Sequence, residues 1–255
     1  IATFLPQNLY TAYGDADALR RHYPLMRDWV DSVRRQDQAR GEKYLWDFGF
    51  QFGDWLALDG ATPQSTFGRT DVHFVSSVYY YASAAYVAKA AEVLELPEKA
   101  AYEQLASHIR SAILEEYFTP TGRLAIDTQT AYVLALRFDL CPDREKAIAA
   151  FQNRFKKDCR HLTGGFVGAT MMNTVLADNG MADIAYDLLC YEGFPGWLYA
   201  VNLGATTIWE RWNSVLPDGT VSGTGMNSLN HYSYGAVTEF LYRHCAGIQP
   251  MAPGF

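Results

Sequence analysis

The stretch VYYYASAAYVAKAAEVLELPEKAAYEQLASHIRSAILEEY, residues 78–117, decides the fold. Its first half mixes rings with alanine, a composition that lets helices pack closely; the spacing predicts one long helix from near Thr70 to Glu95. Pro97 stands where proline suits the first turn of a new helix, since its missing N–H has no intrahelical partner to lose. The second helix then runs to about Tyr117, with Leu105, Ile109, Ile113 and Tyr117 on one face. Two helices joined by a short turn make a helical hairpin.

Working outward, the same unit recurs. Asp15 to about Val33 carries Leu19, His22, Tyr23, Met26, Trp29, Val30 and Val33 on one stripe, with Gly14-Asp15 supplying the turn and an N-cap oxygen. Thr128–Leu140 and a helix from Pro142 to about Lys157 form another pair. Val167–Asp178 and Met181–Tyr191 form a third, broken at Asn179-Gly180, and a last helix covers Tyr232–Cys245. Asp127 is expected to cap the helix that follows it. Strand signals are nearly absent, so the fold class is all-α, with about eight helices in one domain.

Two architectures suit such hairpins, a solenoid or a closed toroid. A solenoid repeats its sequence at a fixed period, and no period is found. Loop lengths are also uneven: 44–63, 119–127, 158–166, 192–204 and 213–230 are long, whereas Leu96, Cys141 and Asn179-Gly180 mark tight connections. This favours a toroid with a functional rim above a plain one.

Composition narrows the function. The 255 residues are 15% aromatic and 19% charged, against about 25% charged for an ordinary globular protein. With 21 Lys and Arg against 28 Asp and Glu and no basic run, nucleic acid is not an expected partner. The uncharged stretch Leu162–Ala177 holds three Gly, three Thr and an Asn, and falls short of the roughly 20 apolar residues that span a membrane. Cys141, Cys159, Cys190 and Cys245 are widely spaced without a Cys-x-x-Cys, and His73, His108 and His161 lack ligand-like spacing, so neither metal nor cofactor is expected. The N-terminal IATFLPQNLYTAYGD has no basic leader and no initiator Met, which reads as excision from a longer chain or as processing.

Two segments embed acids among rings: WDFGFQFGDW (46–55) and GATTIWERWN (204–213). Flat rings suit the C–H face of a sugar, and a carboxyl beside Trp is partly desolvated, which lifts its pKa toward an acid–base range. The same residues also fit helix-packing core, with Glu210 simply paired to Arg211. His231, in NSLNHYSYGA, fits either a functional ring or a buried imidazole bonded to backbone. The residues alone leave these alternatives open and do not separate acid from base.

Several motifs in order resemble a known family: YGD (13–15), FGDWL (52–56), TQTAYVLAL (128–136), LTGGFVG (162–168), GFPGWLY (193–199), GATTIWERW (204–212), MNSLNHYSYGAV (226–237) and PGF (253–255). The chain resembles the bacterial α-L-rhamnosidases of glycoside hydrolase family 78 from about residue 4 to its end. The resemblance implies an (α/α)6 toroid that hydrolyses terminal α-L-rhamnosyl groups of glycosides or polysaccharides with inversion. It matches Glu210 to the general base, Trp55 to a ring lining the rhamnose pocket and His231 to a histidine on sugar hydroxyls. Asp54, Trp209 and Trp212 adjoin these and are assigned to the pocket wall.

The family's general acid belongs to an upstream motif ending in Trp-x-Gly-Asp, which this sequence lacks. Eight helices where a closed ring has twelve imply that residues 1–255 are about two-thirds of one catalytic domain, with its N-terminal helices and further polypeptide upstream. Were the chain complete, Asp54 would be the best internal acid. Asn213 stands where the family usually has Asp, and Gly164-Gly165 where it tends to have one Gly. Rival readings are a sugar-binding barrel without catalysis, a toroid glycosidase or phosphorylase for another sugar, and a helical scaffold.

Overall fold

The computed structural model describes residues 1–223 and 225–255; Thr224, in the long 213–230 loop, lies outside the described residues. The described chain is helical, with two isolated bridges, Trp55 with Phe67 and Val215 with Val221, as its only strand-like pairings. It divides into two compact units, residues 1–51, 72–121 and 249–255, and residues 52–71 and 122–248.

The first unit holds α1 (Phe4–Tyr13), α2 (Ala16–Gln38), α3 (Val72–Val93) and α4 (Lys99–Tyr117). The Asp15 carboxylate accepts from the Ala18 N–H and caps α2, as the sequence predicts. Leu19, Tyr23, Met26, Val30 and Val33 of its stripe are buried, whereas His22 and Trp29 are exposed. Both exceptions lie at the stripe's margin, and Trp29 meets Trp46 edge-on at 5.8 Å. The central helix, α3, is apolar on all sides and packs against both α2 and α4, as a helix without a polar face must. Pro97 precedes the N-cap Glu98 instead of opening α4, so the helix begins two residues later than its composition suggests. α1 escapes a periodicity reading, being short and interrupted by Pro6 in its first turn, where proline is tolerated. Gly14 ends it in the left-handed conformation (φ 68°) that glycine adopts without penalty.

The second unit holds α5 (Gln129–Arg137), α6 (Arg144–Lys157), α7 (Gly168–Asp178), α8 (Ala182–Leu189) and α9 (Trp197–Asn202). Residues Gln129–Leu136 are all buried, and Tyr132 stacks on Phe151 of α6 with ring centroids 5.6 Å apart. Thr128, not Asp127, caps α5: its hydroxyl accepts from the Ala131 N–H. Asp127 instead pairs with Lys157 at 2.8 Å and Arg154 at 3.3 Å and accepts from the Tyr132 hydroxyl at 3.2 Å. Pro142 likewise precedes its N-cap, Asp143. α9 sits inside an expected loop; six residues are too few for a periodic stripe to register. The expected final helix is broken into a 3-10 turn (Ser233–Val237), one α-turn (Thr238–Phe240) and a π-turn (Leu241–Cys245). No helix among the described residues is long and apolar enough to cross a membrane, and no cluster of three or more His, Cys, Asp or Glu could hold a metal ion.

Candidate active site

All six side chains singled out in the sequence belong to the second unit. Asp54 is wholly buried at 1% exposure. Its carboxylate accepts from the Thr130 hydroxyl and from three amides of one segment, Gly165 and Val167 at 2.8 Å and Gly168 at 3.1 Å. Burial pushes its carboxyl above the ordinary carboxylate value, and the four donors pull against that rise. The next residue continues the joint, because the Trp55 carbonyl accepts from the Phe166 N–H at 2.9 Å. Four successive amides, 165 to 168, are therefore spent on Asp54 and Trp55. Val167 is the N-cap of α7 and Gly168 its first residue, so two of these donors stand at a helix start, where an anion is favoured.

Glycine is required in this joint for space. A Cβ on Gly165 would collide with the Trp55 carbonyl and lie 2.5 Å from the Ala57 nitrogen; one on Gly168 would strike the Thr130 hydroxyl. Trp55 itself is half-buried, its indole met edge-on by Phe52 (5.4 Å, 89°) and Phe67 (4.9 Å, 88°).

The WERW and NHYSYG segments are tied to each other through backbone. The His231 N–H donates to the Ile208 carbonyl at 2.8 Å and the Glu210 N–H to the Ser228 carbonyl at 2.9 Å. The Thr207 hydroxyl donates to the Leu229 carbonyl and the Arg211 Nε–H to the Met226 carbonyl at 2.8 Å. Glu210 is buried at 8% exposure, yet among the described residues its carboxylate takes no hydrogen bond and no ion pair. The pairing to Arg211 that the sequence allowed is not formed, since that guanidinium turns to Met226. A sequestered carboxylate with free lone pairs is a strong acceptor for a water or hydroxyl proton.

His231 lies parallel to Phe166 (centroids 4.9 Å, 18°) and to Tyr232 (5.3 Å, 11°). Its Nδ1 accepts from the Ser233 N–H at 3.4 Å, so the neutral imidazole carries its proton on Nε2 and offers a donor there. Two further rings join the group without having been singled out. Phe166 is half-buried and also meets Tyr234 edge-on at 5.4 Å. Tyr234 is buried, stacks on Trp212 at 3.9 Å, and has its hydroxyl pushed up by burial and by the nearby charges of Asp54 and Glu210. The available signal for Phe166 was the double glycine before it, which marks a close backbone approach.

Trp209 and Trp212 are both buried and wall a cavity of about 420 Å³ together with Trp197, Ile208 and Leu241. Glu210, between them in sequence, does not line it, nor do Asp54, Trp55 or His231. The structure thus brings Asp54, Trp55, Glu210 and His231 into one connected network and gives the two indoles of WERW a space of their own.

The chain matches a family described as the bacterial α-L-rhamnosidase six-hairpin glycosidase domain over residues 1–245. It is 36% identical over 261 aligned residues to an α-L-rhamnosidase of Alteromonas sp. (strain LOR), covering 100% of this chain and 28% of that protein. A second α-L-rhamnosidase, from Formosa agariphila, is 35% identical over 260 residues, covering 100% of this chain and 27% of its own length. The chain therefore spans less than a third of the length of these relatives. Among solved structures, Streptomyces avermitilis α-L-rhamnosidase complexed with L-rhamnose aligns with a TM-score of 0.88 at 35% identity, covering 100% of this chain and 24% of that one. Aspergillus terreus α-L-rhamnosidase aligns with a TM-score of 0.90 at 32% identity, covering 99% and 29%. The all-α hairpins expected of an (α/α)6 toroid are those of the matched domain. By sequence and by fold, this chain belongs to the bacterial α-L-rhamnosidase six-hairpin glycosidase domain family.

Proposed function

We propose that residues 1–255 form the greater part of the catalytic domain of an inverting α-L-rhamnosidase, with further helices supplied by polypeptide N-terminal to Ile1. The observation that carries this reading is Glu210, a carboxylate 8% exposed, its segment held by backbone to the one that carries His231 and, among the described residues, without a side-chain partner. Inversion requires two carboxyl groups roughly 6.5–9.5 Å apart, one donating to the departing oxygen and one activating water on the opposite face. Glu210 is the base: it takes a proton from water as the water oxygen attacks the anomeric carbon. The glycosidic C–O bond breaks on the other face, and the leaving oxygen takes its proton from an acid upstream of this chain.

Trp55 supplies the apolar wall for the sugar ring and His231 a hydroxyl-directed donor at Nε2. Asp54 is a positioning residue in this reading, since four donors already occupy its carboxylate. Trp209 and Trp212 close the back of the WERW turn. The substrate class follows from the relatives, one of which was solved with L-rhamnose.

The test is hydrolysis of a panel of aryl glycosides, read by NMR at the anomeric proton. Preference for α-L-rhamnoside with β-L-rhamnose as first product supports the proposal. Retention, or preference for another sugar, overturns it. L-rhamnose binding without turnover by the protein with its upstream sequence restored would instead favour the non-catalytic sugar-binding barrel, which a single carboxylate also fits.

A further inference from the structure

We infer that Phe166 is a positioning residue for His231, and that Asp54 sets it from below through the amides of residues 165–168. The inference rests on the proposed role of His231 in sugar binding and extends it to residues that role does not include.

Three observations carry it. The backbone around Phe166 has almost no freedom: its own N–H is held by the Trp55 carbonyl, and its neighbours on both sides are held by Asp54. Gly165 and Gly168 fit so closely against 54–57 and Thr130 that the loop has no room for a Cβ at either position. The ring that this backbone projects lies 4.9 Å from His231 at an interplanar angle of 18° and edge-on to Tyr234. A stacked ring fixes the plane of an imidazole, while the weak Ser233 contact at 3.4 Å fixes only its tautomer. The orientation of the Nε2 donor is thus inherited from a buried carboxylate that never touches it. Trp55 and His231, far apart in sequence, are referred to the same four amides.

Thr130→Val tests the far end of this chain of contacts, because it removes one hydroxyl donor to Asp54 while keeping the side-chain shape. Phe166→Leu removes the ring, and Phe166→Tyr restores it. Carbon-13 labelling of histidine Cε1 in the protein, with the His231 signal identified by its loss in His231→Asn, reads the imidazole's surroundings at fixed pH. The His231 signal moves in Phe166→Leu and in Thr130→Val, and returns toward its original position in Phe166→Tyr. L-Rhamnose binding weakens by roughly three- to tenfold in Phe166→Leu and recovers in Phe166→Tyr. A His231 signal unmoved by Thr130→Val, in a variant whose circular dichroism matches the parent, overturns the inference. Should the parent protein bind no L-rhamnose, the functional proposal falls, and the His231 signal still decides whether the positioning chain exists.

Discussion

The Glu210 amide donates to the Ser228 carbonyl across 2.9 Å, joining the WERW turn to the segment that delivers His231. Four residues after Glu210, a single buried hydroxyl finishes the turn. Ser214 Oγ accepts from the Arg211 N–H at 3.0 Å and donates to the Arg211 carbonyl at 3.0 Å. Ser214→Ala leaves a polar amide unmatched and is expected to cost about 1–3 kcal/mol. Urea denaturation measures this, and kcat should fall in the same variant because Arg211, the neighbour of Glu210, loses its hold on the turn.

Gly165→Ala places a Cβ against the Trp55 carbonyl and the Ala57 nitrogen, both backbone atoms that cannot swing aside. The expected cost is about 1–3 kcal/mol, from forced displacement of the 54–57 segment. Gly223→Ala, where a Cβ meets nothing within 4 Å, serves as the control and should stay within about 0.5 kcal/mol. Thermal melts of the two variants separate a steric requirement from a general intolerance of alanine.

Thr128 and Asp127 give a paired prediction. Thr128→Ala removes the α5 cap and should cost about 1 kcal/mol at any pH. Asp127 is different, because its effect depends on its charge. Against the opposing effect of burial, Lys157, Tyr132 and Arg154 hold its carboxyl below the ordinary value of 3.8. A folded-state value lowered in this way contributes stability above the unfolded value and loses it as pH falls through the folded one. The pairs are partly exposed, so the contribution at neutral pH is small, about 1 kcal/mol or less. The stability gap between the parent and Asp127→Asn should therefore be present at neutral pH and close in acid below 3.8. A gap that persists unchanged in acid contradicts this assignment.

The helices that the sequence revealed are those with long stripes and strong caps. α2 shows both Asp15 and a buried Leu19–Val33 face; α3 shows its all-round apolar character directly. α9 and the broken 233–245 stretch are held by packing of individual rings, Trp197 against Trp212 and Phe240 against Tyr186, which no periodicity encodes. In the site, Asp54 and Glu210 stood out because acids among rings are conspicuous. Their different fates were not legible, because burial and hydrogen-bond occupancy are properties of the partners. Asp54 meets four donors brought from 76 to 114 residues away, and Glu210 meets none among the described residues. Phe166 was hidden for the same reason: one phenylalanine among 14 gains its role only from the ring it faces.

The base role of Glu210 is tested most directly by Glu210→Gln in the protein with its upstream sequence, assayed on an aryl α-L-rhamnoside. The amide keeps the side chain's shape and removes its capacity to take a proton. The expected result is a fall in kcat of roughly a thousandfold or more with L-rhamnose binding retained. A variant within tenfold of the parent would show that Glu210 is not the base.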